Sequence, residues 1–189
     1  MPPEPTLDEK IVRVSAALTG AEVRHAFGGA LALAYYAEPR ATIDIDLNVF
    51  APTGAARPAL DALSGVGVAM DRRQVLRAVA SQGQVRVRWG RTPLDLFFAV
   101  DPFHDACAEG CRTVPFGDDT IPILAAEHLV VCKALYDRRK DWIDIEQVLF
   151  IAGDGFEIDE AAGWLARLVG ADDARARRLV RLAGRFGAG

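Results

Sequence analysis

The hydrophobic and polar positions along the chain predict mixed helices and strands up to about residue 124 and helices alone beyond it. In the first part, helical patterns occupy residues 7–19, 30–36, 59–67 and 71–83. Thr6 and Glu9 are placed to form a capping box for the first of these helices, and Gly20 is placed to end it. In the second part, helical spacing runs through residues 125–153, 159–170 and 171–186.

A strict period of two predicts a strand at residues 42–50, with one apolar and one polar face. The apolar positions are Ile43, Ile45, Leu47 and Val49, and they alternate with Thr42, Asp44, Asp46 and Asn48. Other strands are predicted at 23–27, in a hairpin of 85–89 and 94–100 that turns at Gly90 and Arg91, and at 112–116 and 120–124. The elements indicate an α/β (α+β) fold, a mixed sheet flanked by helices with a helical C-terminal part. We expect a core over residues 1–124 and a helical region over residues 125–189.

The composition is that of a globular protein, because 51% of the 189 residues are hydrophobic. A balance of 22 basic against 26 acidic residues gives a net charge of −4, which excludes a general basic field for nucleic acid or membrane. The chain lacks a run of about 18 apolar residues, so we expect a cytoplasmic protein with no membrane partner. Four arginines fall near one face of the last predicted helix, where they form either an RNA contact or a solvated face: Arg175, Arg178, Arg181 and Arg185.

The three cysteines favour reduced thiols over a disulfide framework. His104, Cys107 and Cys111 stand close together in sequence, but zinc needs a fourth ligand that no second Cys or His cluster supplies. We therefore interpret "HDACAEGC" as an ordinary loop segment.

Three aspartates carry the candidate chemistry. Asp44 and Asp46 project from the same strand face about 6 to 7 Å apart, where two like charges need water, a cation or a shared proton. Asp95 lies in "PLDLFFAV", whose apolar residues predict a strand covered on both faces. If the two strands are adjacent, the three carboxylates can form a cage for Mg²⁺, which prefers oxygen ligands. The alternative is that the polar face is simply solvated.

A pair of glycines, Gly28 and Gly29, precedes the predicted helix that begins at Ala30. Backbone without side chains lets N–H groups approach phosphate oxygens, and the helix directs its positive end to the same place. A plain turn would need the same two residues. Together with three carboxylates able to hold two Mg²⁺ ions, the pair favours phosphoryl or nucleotidyl transfer.

These residues resemble the nucleotidyltransferase superfamily of the DNA polymerase β type. Its motif is Gly-Gly or Gly-Ser, a short helix, Asp-x-Asp or Asp-x-Glu on a strand, and a third acidic residue on a later strand. The positions that match, in order, are Gly28, Gly29, Asp44, Asp46 and Asp95. One departure is that fourteen residues separate Gly29 from Asp44, slightly more than is common.

More narrowly, "GGALALAYYAEPRATIDIDL" with "EHLVVCKALYDRRKDWIDI" resembles the AbiEii-like minimal nucleotidyltransferases, the type IV toxin-antitoxin group. The resemblance implies nucleotide binding by Arg40, Thr42, Lys133, Lys140 and Asp141, besides Gly28 and Gly29. If the helix that holds Lys133 continues, that lysine shares a side with Asp137, Lys140 and Asp144, which is equally the pattern of a solvated stripe.

The resemblance therefore implies a Mg²⁺-dependent nucleotidyltransferase that moves NMP from an NTP, ATP among them, to a hydroxyl of RNA, tRNA, a protein or a small molecule. Asp44, Asp46 and Asp95 would hold two Mg²⁺ ions, with Mn²⁺ as a substitute, and a cognate toxin or antitoxin would be the partner. The alternative is an inactive nucleotide-binding or partner-binding module of the same fold. A nuclease or phosphatase is least favoured, because such sites usually add a histidine that the motif strands here lack.

Overall fold

A computed structural model describes residues 4–186 of the chain, which divide into two compact units. The first unit runs to Gly28 and resumes from Ala41 to Leu124, and the second comprises Gly29–Arg40 and the chain from Ala125 onward. The elements of the first unit are α1 (Leu7–Gly20), β1 (His25–Phe27), β2 (Ile45–Pro52), α3 (Arg57–Gly65), α4 (Arg72–Gln82), β3 (Gln84–Trp89), β4 (Thr92–Ala99), α5 (Pro102–Gly110), β5 (Arg112–Phe116) and β6 (Asp119–Ile123). Those of the second are α2 (Gly29–Leu33), α6 (Ala126–Tyr136), α7 (Arg139–Ala152), α8 (Ile158–Val169) and α9 (Ala174–Phe186).

The six strands form one mixed sheet in the order β3-β4-β2-β1-β6-β5. The pairs β2/β4 and β1/β6 are parallel, and the other three neighbouring pairs are antiparallel. The predicted mixed α/β fold and the predicted hairpins are therefore confirmed. Residues 29–40 belong with the C-terminal helices although they precede them in sequence, and the independence of the two regions as domains stays a prediction.

Strand β2 follows from its apolar period, but it begins three residues later than predicted. Ile45, Leu47 and Val49 are buried in the core, with at most 1% of each side chain exposed. Ile43, predicted to belong to the same apolar face, is 70% exposed, because pairing with β4 begins only at Ile45. The Thr42 hydroxyl accepts a hydrogen bond from the Asp44 N–H at 3.2 Å, a local turn contact that competes with an extended ladder.

The first helix confirms the predicted capping box. Thr6 Oγ1 accepts from the Glu9 N–H, and Glu9 Oε2 accepts from the Thr6 N–H. The loop predicted for "HDACAEGC" was wrong, because this segment lies in helix α5 and its C-terminal cap. Asp101 caps that helix by accepting from the Phe103 N–H, and Pro102 occupies its first turn.

The helical unit contains two helices, α6 and α7, in the region where the sequence allowed one continuous helix. Helix α6 ends at Tyr136, Asp137 adopts a left-handed conformation with φ 53°, and α7 starts at Arg139. The Asp137 carboxylate accepts a hydrogen bond of 2.6 Å from Trp142 Nε1, which stabilises this break. Lys133 and Lys140 therefore lie on different helices. Among residues 4–186, no helix has both the length and the apolar character needed to cross a membrane.

Candidate functional site

Two of the three predicted carboxylates lie side by side on neighbouring strands of the sheet. Asp46 on β2 and Asp95 on β4 are register partners on adjacent parallel strands, so their side chains leave the same face about 5 Å apart at the backbone. Asp44 precedes the first residue of β2, and its backbone is held by the Thr42 hydroxyl at 3.2 Å. The adjacency on which the predicted three-carboxylate cluster depended is therefore present.

The partner of Asp95 is Arg86, a residue that the sequence analysis missed. The guanidinium donates from Nε to Oδ1 at 2.6 Å and from Nη2 to Oδ2 at 2.5 Å, and the two residues face each other in the β3–β4 hairpin. The hydrogen bonds and the charge of Asp95 raise the pKa of Arg86, and the charges of Asp44 and Asp46 raise it further. One guanidinium therefore lies in the field of all three carboxylates.

This arrangement changes how the site can hold a metal. Within the part of the chain that the structure describes, no three His, Cys, Asp or Glu side chains are already arranged to hold an ion. Both oxygens of Asp95 are bonded to Arg86, so the cage is not preformed. The donor set nevertheless fits Mg²⁺, because all three side chains offer carboxylate oxygens and two lie on paired strands. To ligate an ion, Asp95 would have to share its oxygens with Arg86 or lose that partner.

The strand of Asp95 is less enclosed than predicted. Leu94, Leu96 and Phe98 are buried, whereas Asp95 and Phe97 on the opposite face are only half-buried. The carboxylate itself is 20% exposed. A charge at this position is tolerated because it is paired and partly hydrated.

The two glycines have structural roles in the backbone, and their contact with phosphate stays a prediction. The Gly28 N–H, expected to face phosphate, donates to the Asp46 carbonyl at 2.9 Å. A Cβ at Gly28 would lie 3.0 Å from Asn48 Nδ2 and 3.4 Å from Leu124 Cδ1, so the backbone approaches these side chains closely. Gly29 adopts φ 54°, which favours glycine, and it opens a helix of only five residues.

In the helical unit, Lys133 is bound to a carboxylate rather than open to solvent. Its Nζ lies 2.7 Å from Asp144 Oδ2, and the Arg40 Nη2 lies 3.1 Å from the same oxygen. The side chains of Lys133 and Asp144 are only 5% and 6% exposed, whereas that of Arg40 is 39% exposed. Arg40 is thus the accessible member of this three-residue cluster, and Asp144 joins the two cations.

The other predicted nucleotide-binding residues of this unit separate into two environments. Lys140 is exposed and, with Arg40, lines a concave surface that encloses a volume of about 270 Å³. The remaining residues of that surface are Glu38, Pro39, Ile143, Asp144 and Gln147. Asp141 is buried and accepts from Arg138 Nε at 2.5 Å and Nη2 at 3.1 Å, so it is held within the first turn of α7.

Three of the four C-terminal arginines considered for RNA have intramolecular partners, and one of these is Arg185, which lies 5.8 Å from the centre of the Phe186 ring. Arg175 forms a two-pronged pair with Asp173 and donates to the Leu135 carbonyl, and it lowers the pKa of Asp173 to about 2. The Arg178 guanidinium stacks 4.2 Å from the centre of the Trp142 ring. These contacts favour a role in holding α9, and the RNA contact stays a prediction.

No protein-family model and no curated protein matches this sequence. Solved structures do resemble it. The antibiotic-resistance factor ANT(2'')-Ia matches in a solution structure, at 16% identity over 97% of this chain and 92% of that one with a TM-score of 0.52. It matches again in a crystal structure with adenylyl-2''-tobramycin, at 15% identity over 96% and 97% with a TM-score of 0.55.

The lincosamide antibiotic adenylyltransferase LnuA, solved with lincomycin, is a further structural neighbour. It matches at 14% identity over 75% of this chain and 96% of its own, with a TM-score of 0.51. Identities this low establish likeness of fold. The mixed sheet with its flanking helices is therefore the nucleotidyltransferase fold, as the sequence predicted.

Proposed function

We propose that this protein is a metal-dependent nucleotidyltransferase that moves an NMP group from ATP or another NTP to a hydroxyl acceptor. One observation carries the proposal: on this fold, Asp46 and Asp95 are register partners on adjacent strands, with Asp44 two residues before Asp46. Three carboxylates so placed match the ligand set of two-ion nucleotidyl transfer. The apolar residues of β2 and β4 anchor them to a rigid part of the sheet.

In the proposed reaction, Asp44, Asp46 and Asp95 would hold the two ions. Bound Mg²⁺, or Mn²⁺ in its place, supplies activation of the acceptor hydroxyl and neutralises charge on the pyrophosphate. The acceptor oxygen bonds to the α-phosphorus, the bond from that phosphorus to the bridging oxygen breaks, and pyrophosphate leaves. Asp95, whose carboxylate is partly exposed, would take up the hydroxyl proton.

The proposed nucleotide contacts in the helical unit are the accessible cations Arg40 and Lys140, which line the same concave surface. A phosphate chain is a polyanion, and exposed guanidinium and ammonium groups are its usual partners. Lys133 is proposed to act through Asp144, because its ammonium is buried and bound to that carboxylate. Asp144 in turn orients Arg40.

The remaining nucleotide-site residues are proposed to shape the backbone. Gly28 and Gly29 keep side chains away from the end of β1, and Thr42 fixes the backbone of Asp44. Asp141 holds Arg138 at the start of α7, which is the helix that presents Lys140.

Two acceptor classes are proposed. The names of the structural neighbours support a small hydroxylated molecule, since one is a lincosamide adenylyltransferase and the other was solved with adenylyl-2''-tobramycin. The resemblance of the Arg-x-Thr-x-Asp-x-Asp segment to the AbiEii-like group supports RNA, tRNA or a protein, with a cognate toxin or antitoxin as partner. These acceptors differ in size by orders of magnitude, so a transfer assay separates them directly.

A second candidate function is supported by one contact. Because both oxygens of Asp95 are bonded to Arg86, the chain could be an inactive module that binds a nucleotide or a partner without transfer. This candidate predicts NTP binding that is independent of divalent cations and is unaffected when Asp46 is replaced.

The deciding experiment incubates the protein with Mg²⁺ and each α-labelled NTP in turn. The acceptors are total tRNA, cell protein, an aminoglycoside and a lincosamide. Asp46→Asn should lower transfer on the order of 100-fold or more, whereas Asp118→Asn, a matched change at an exposed turn, should not. Transfer that survives in Asp46→Asn would refute the proposed site. NTP binding without transfer to any acceptor would favour the inactive module.

A further inference from the structure

The geometry points to Arg86 as a positioning residue that holds Asp95 in the metal-free protein and competes with a divalent cation for that carboxylate. The inference rests on the proposed function, because it concerns the same three carboxylates. It assigns Arg86 a role that neither the fold nor the sequence motif supplies.

The Arg86–Asp95 pair is built into the hairpin. The two residues are register partners on the antiparallel strands β3 and β4, so their backbones hold the side chains on the same face. The guanidinium engages both carboxylate oxygens, at 2.6 and 2.5 Å, which is the two-pronged geometry that gives the strongest charge-assisted pairs. A long surface side chain held in this way has given up most of its rotamer freedom.

The positive charge of Arg86 also interacts with the other two carboxylates. Asp44 and Asp46 act on the same guanidinium through their charges, after the larger effect of Asp95. Three carboxylates at one edge of two strands repel each other, and one fixed positive charge offsets part of that repulsion. Arg86 therefore occupies the electrostatic role that a bound cation would have.

Competition follows from the charge that both groups seek on the same carboxylate. Arg86 engages one lone pair on each Asp95 oxygen, so an ion that ligates Asp95 draws on electron density that the guanidinium already binds. Arg86→Gln removes this competing charge-assisted pair, so it should strengthen cation binding by about tenfold. By linkage, cation binding must loosen the Arg86–Asp95 pair to the same extent.

Arg88, in the same hairpin, provides a matched control for the replacement of Arg86. This residue lies two positions along β3 from Arg86 and is likewise exposed, but its register partner is Pro93. Replacing Arg88 removes the same charge from the same face of the same strand without touching a carboxylate of the cluster.

The test measures Mn²⁺ binding by the full-length protein, freed of metal with a chelator, from the electron paramagnetic resonance signal of free Mn²⁺. Arg86→Gln should bind Mn²⁺ about tenfold more tightly than wild type, and Arg88→Gln should change the affinity less than about threefold. In an Asp95→Asn background, Arg86→Gln should lose most of its effect, because the competition acts through that carboxylate. Circular dichroism of each variant checks the fold.

The outcomes separate the inference from the proposed function. If Mn²⁺ binds wild type and Asp46→Asn abolishes binding, but Arg86→Gln matches Arg88→Gln or binds more weakly, the inference is wrong and the proposed metal site stands. If Arg86→Gln keeps its effect in the Asp95→Asn background, competition for Asp95 is also refuted. If neither wild type nor Arg86→Gln binds Mn²⁺, the metal site and the inference both fail.

Discussion

Replacing Asp144 by Asn should destabilise the protein more than replacing Lys133 by Met, although both changes break the same ion pair. Asp144 is the anion shared by two cations, with Lys133 at 2.7 Å and Arg40 at 3.1 Å from one oxygen. Asn fills nearly the same volume and removes the charge. It leaves the Lys133 ammonium, whose side chain is 5% exposed, with another cation nearby and without the carboxylate.

The two costs follow from what each variant leaves behind. A buried charge that loses its partner costs about 3 to 5 kcal/mol, and this applies to Lys133 in Asp144→Asn. In Lys133→Met, the carboxylate keeps the half-exposed Arg40 and the methionine fills the apolar surroundings. The expected cost is then about 1 to 2 kcal/mol, close to that of one charge-assisted hydrogen bond.

Urea unfolding followed by circular dichroism and tryptophan fluorescence measures both free energies. Glu146→Gln, on the same helix α7 as Asp144, is a matched charge-removing control that should change stability by less than about 0.5 kcal/mol. A cost for Asp144→Asn equal to or below that of Lys133→Met would refute the shared-anion explanation. Lys133 would then be an independent cation, free to bind phosphate directly.

Three further predictions concern the first unit and the glycine pair. Gly29→Ala should cost about 1 kcal/mol in thermal or urea unfolding because φ is 54°, whereas Gly54→Ala, with no atom within 4 Å of the added Cβ, should be near neutral. Lys10→Met should cost about 1 to 3 kcal/mol in urea unfolding, because the buried ammonium donates to the Trp89 carbonyl and to the Thr92 hydroxyl, both at 2.9 Å, and methionine replaces neither bond. Burial lowers the pKa of His25 below its ordinary 6.5, so the unfolded chain takes up the proton first and stability is lost as the pH falls below that value. The urea midpoint should drop between about pH 7.5 and 5.5, and His25→Gln should reduce the drop.

Local patterns predicted those elements whose cause is local. The capping box at Thr6 and Glu9 needs only residues three apart, and the β3–β4 hairpin needs only its turn and two alternating segments. Helix α5 was missed because its start depends on the Asp101 cap, while its small and polar residues give a weak apolar period. The break at Asp137 depends on a non-glycine residue in the left-handed region, stabilised by Trp142 five residues away.

In the candidate site too, the sequence predicts the contacts that depend on nearby residues and misses those that depend on distant ones. The adjacency of Asp46 and Asp95 was predicted conditionally, because the order of strands in a sheet is a non-local property. The pairing of Arg86 with Asp95 could have been predicted from the sequence. Once a two-residue turn is placed at Gly90 and Arg91, residues equally far from it on either side must face each other. Lys133 and Asp144 could not be paired in this way, because their contact joins two helices.

The motif that joins glycines, helix and aspartates in sequence is divided between the two units. The chain leaves the first unit after Gly28 and returns at Ala41, so Gly29 and Arg40 belong to the helical unit while Asp44 and Asp46 belong to the sheet. The proposed ion ligands and Arg86 thus lie in one unit, and the cluster of Arg40 with Asp144 lies in the other. Mn²⁺ affinity should therefore respond to Arg86 with little effect from Asp144→Asn, because that change removes no carboxylate of the ion site. A loss of Mn²⁺ binding in folded Asp144→Asn would contradict this assignment of roles.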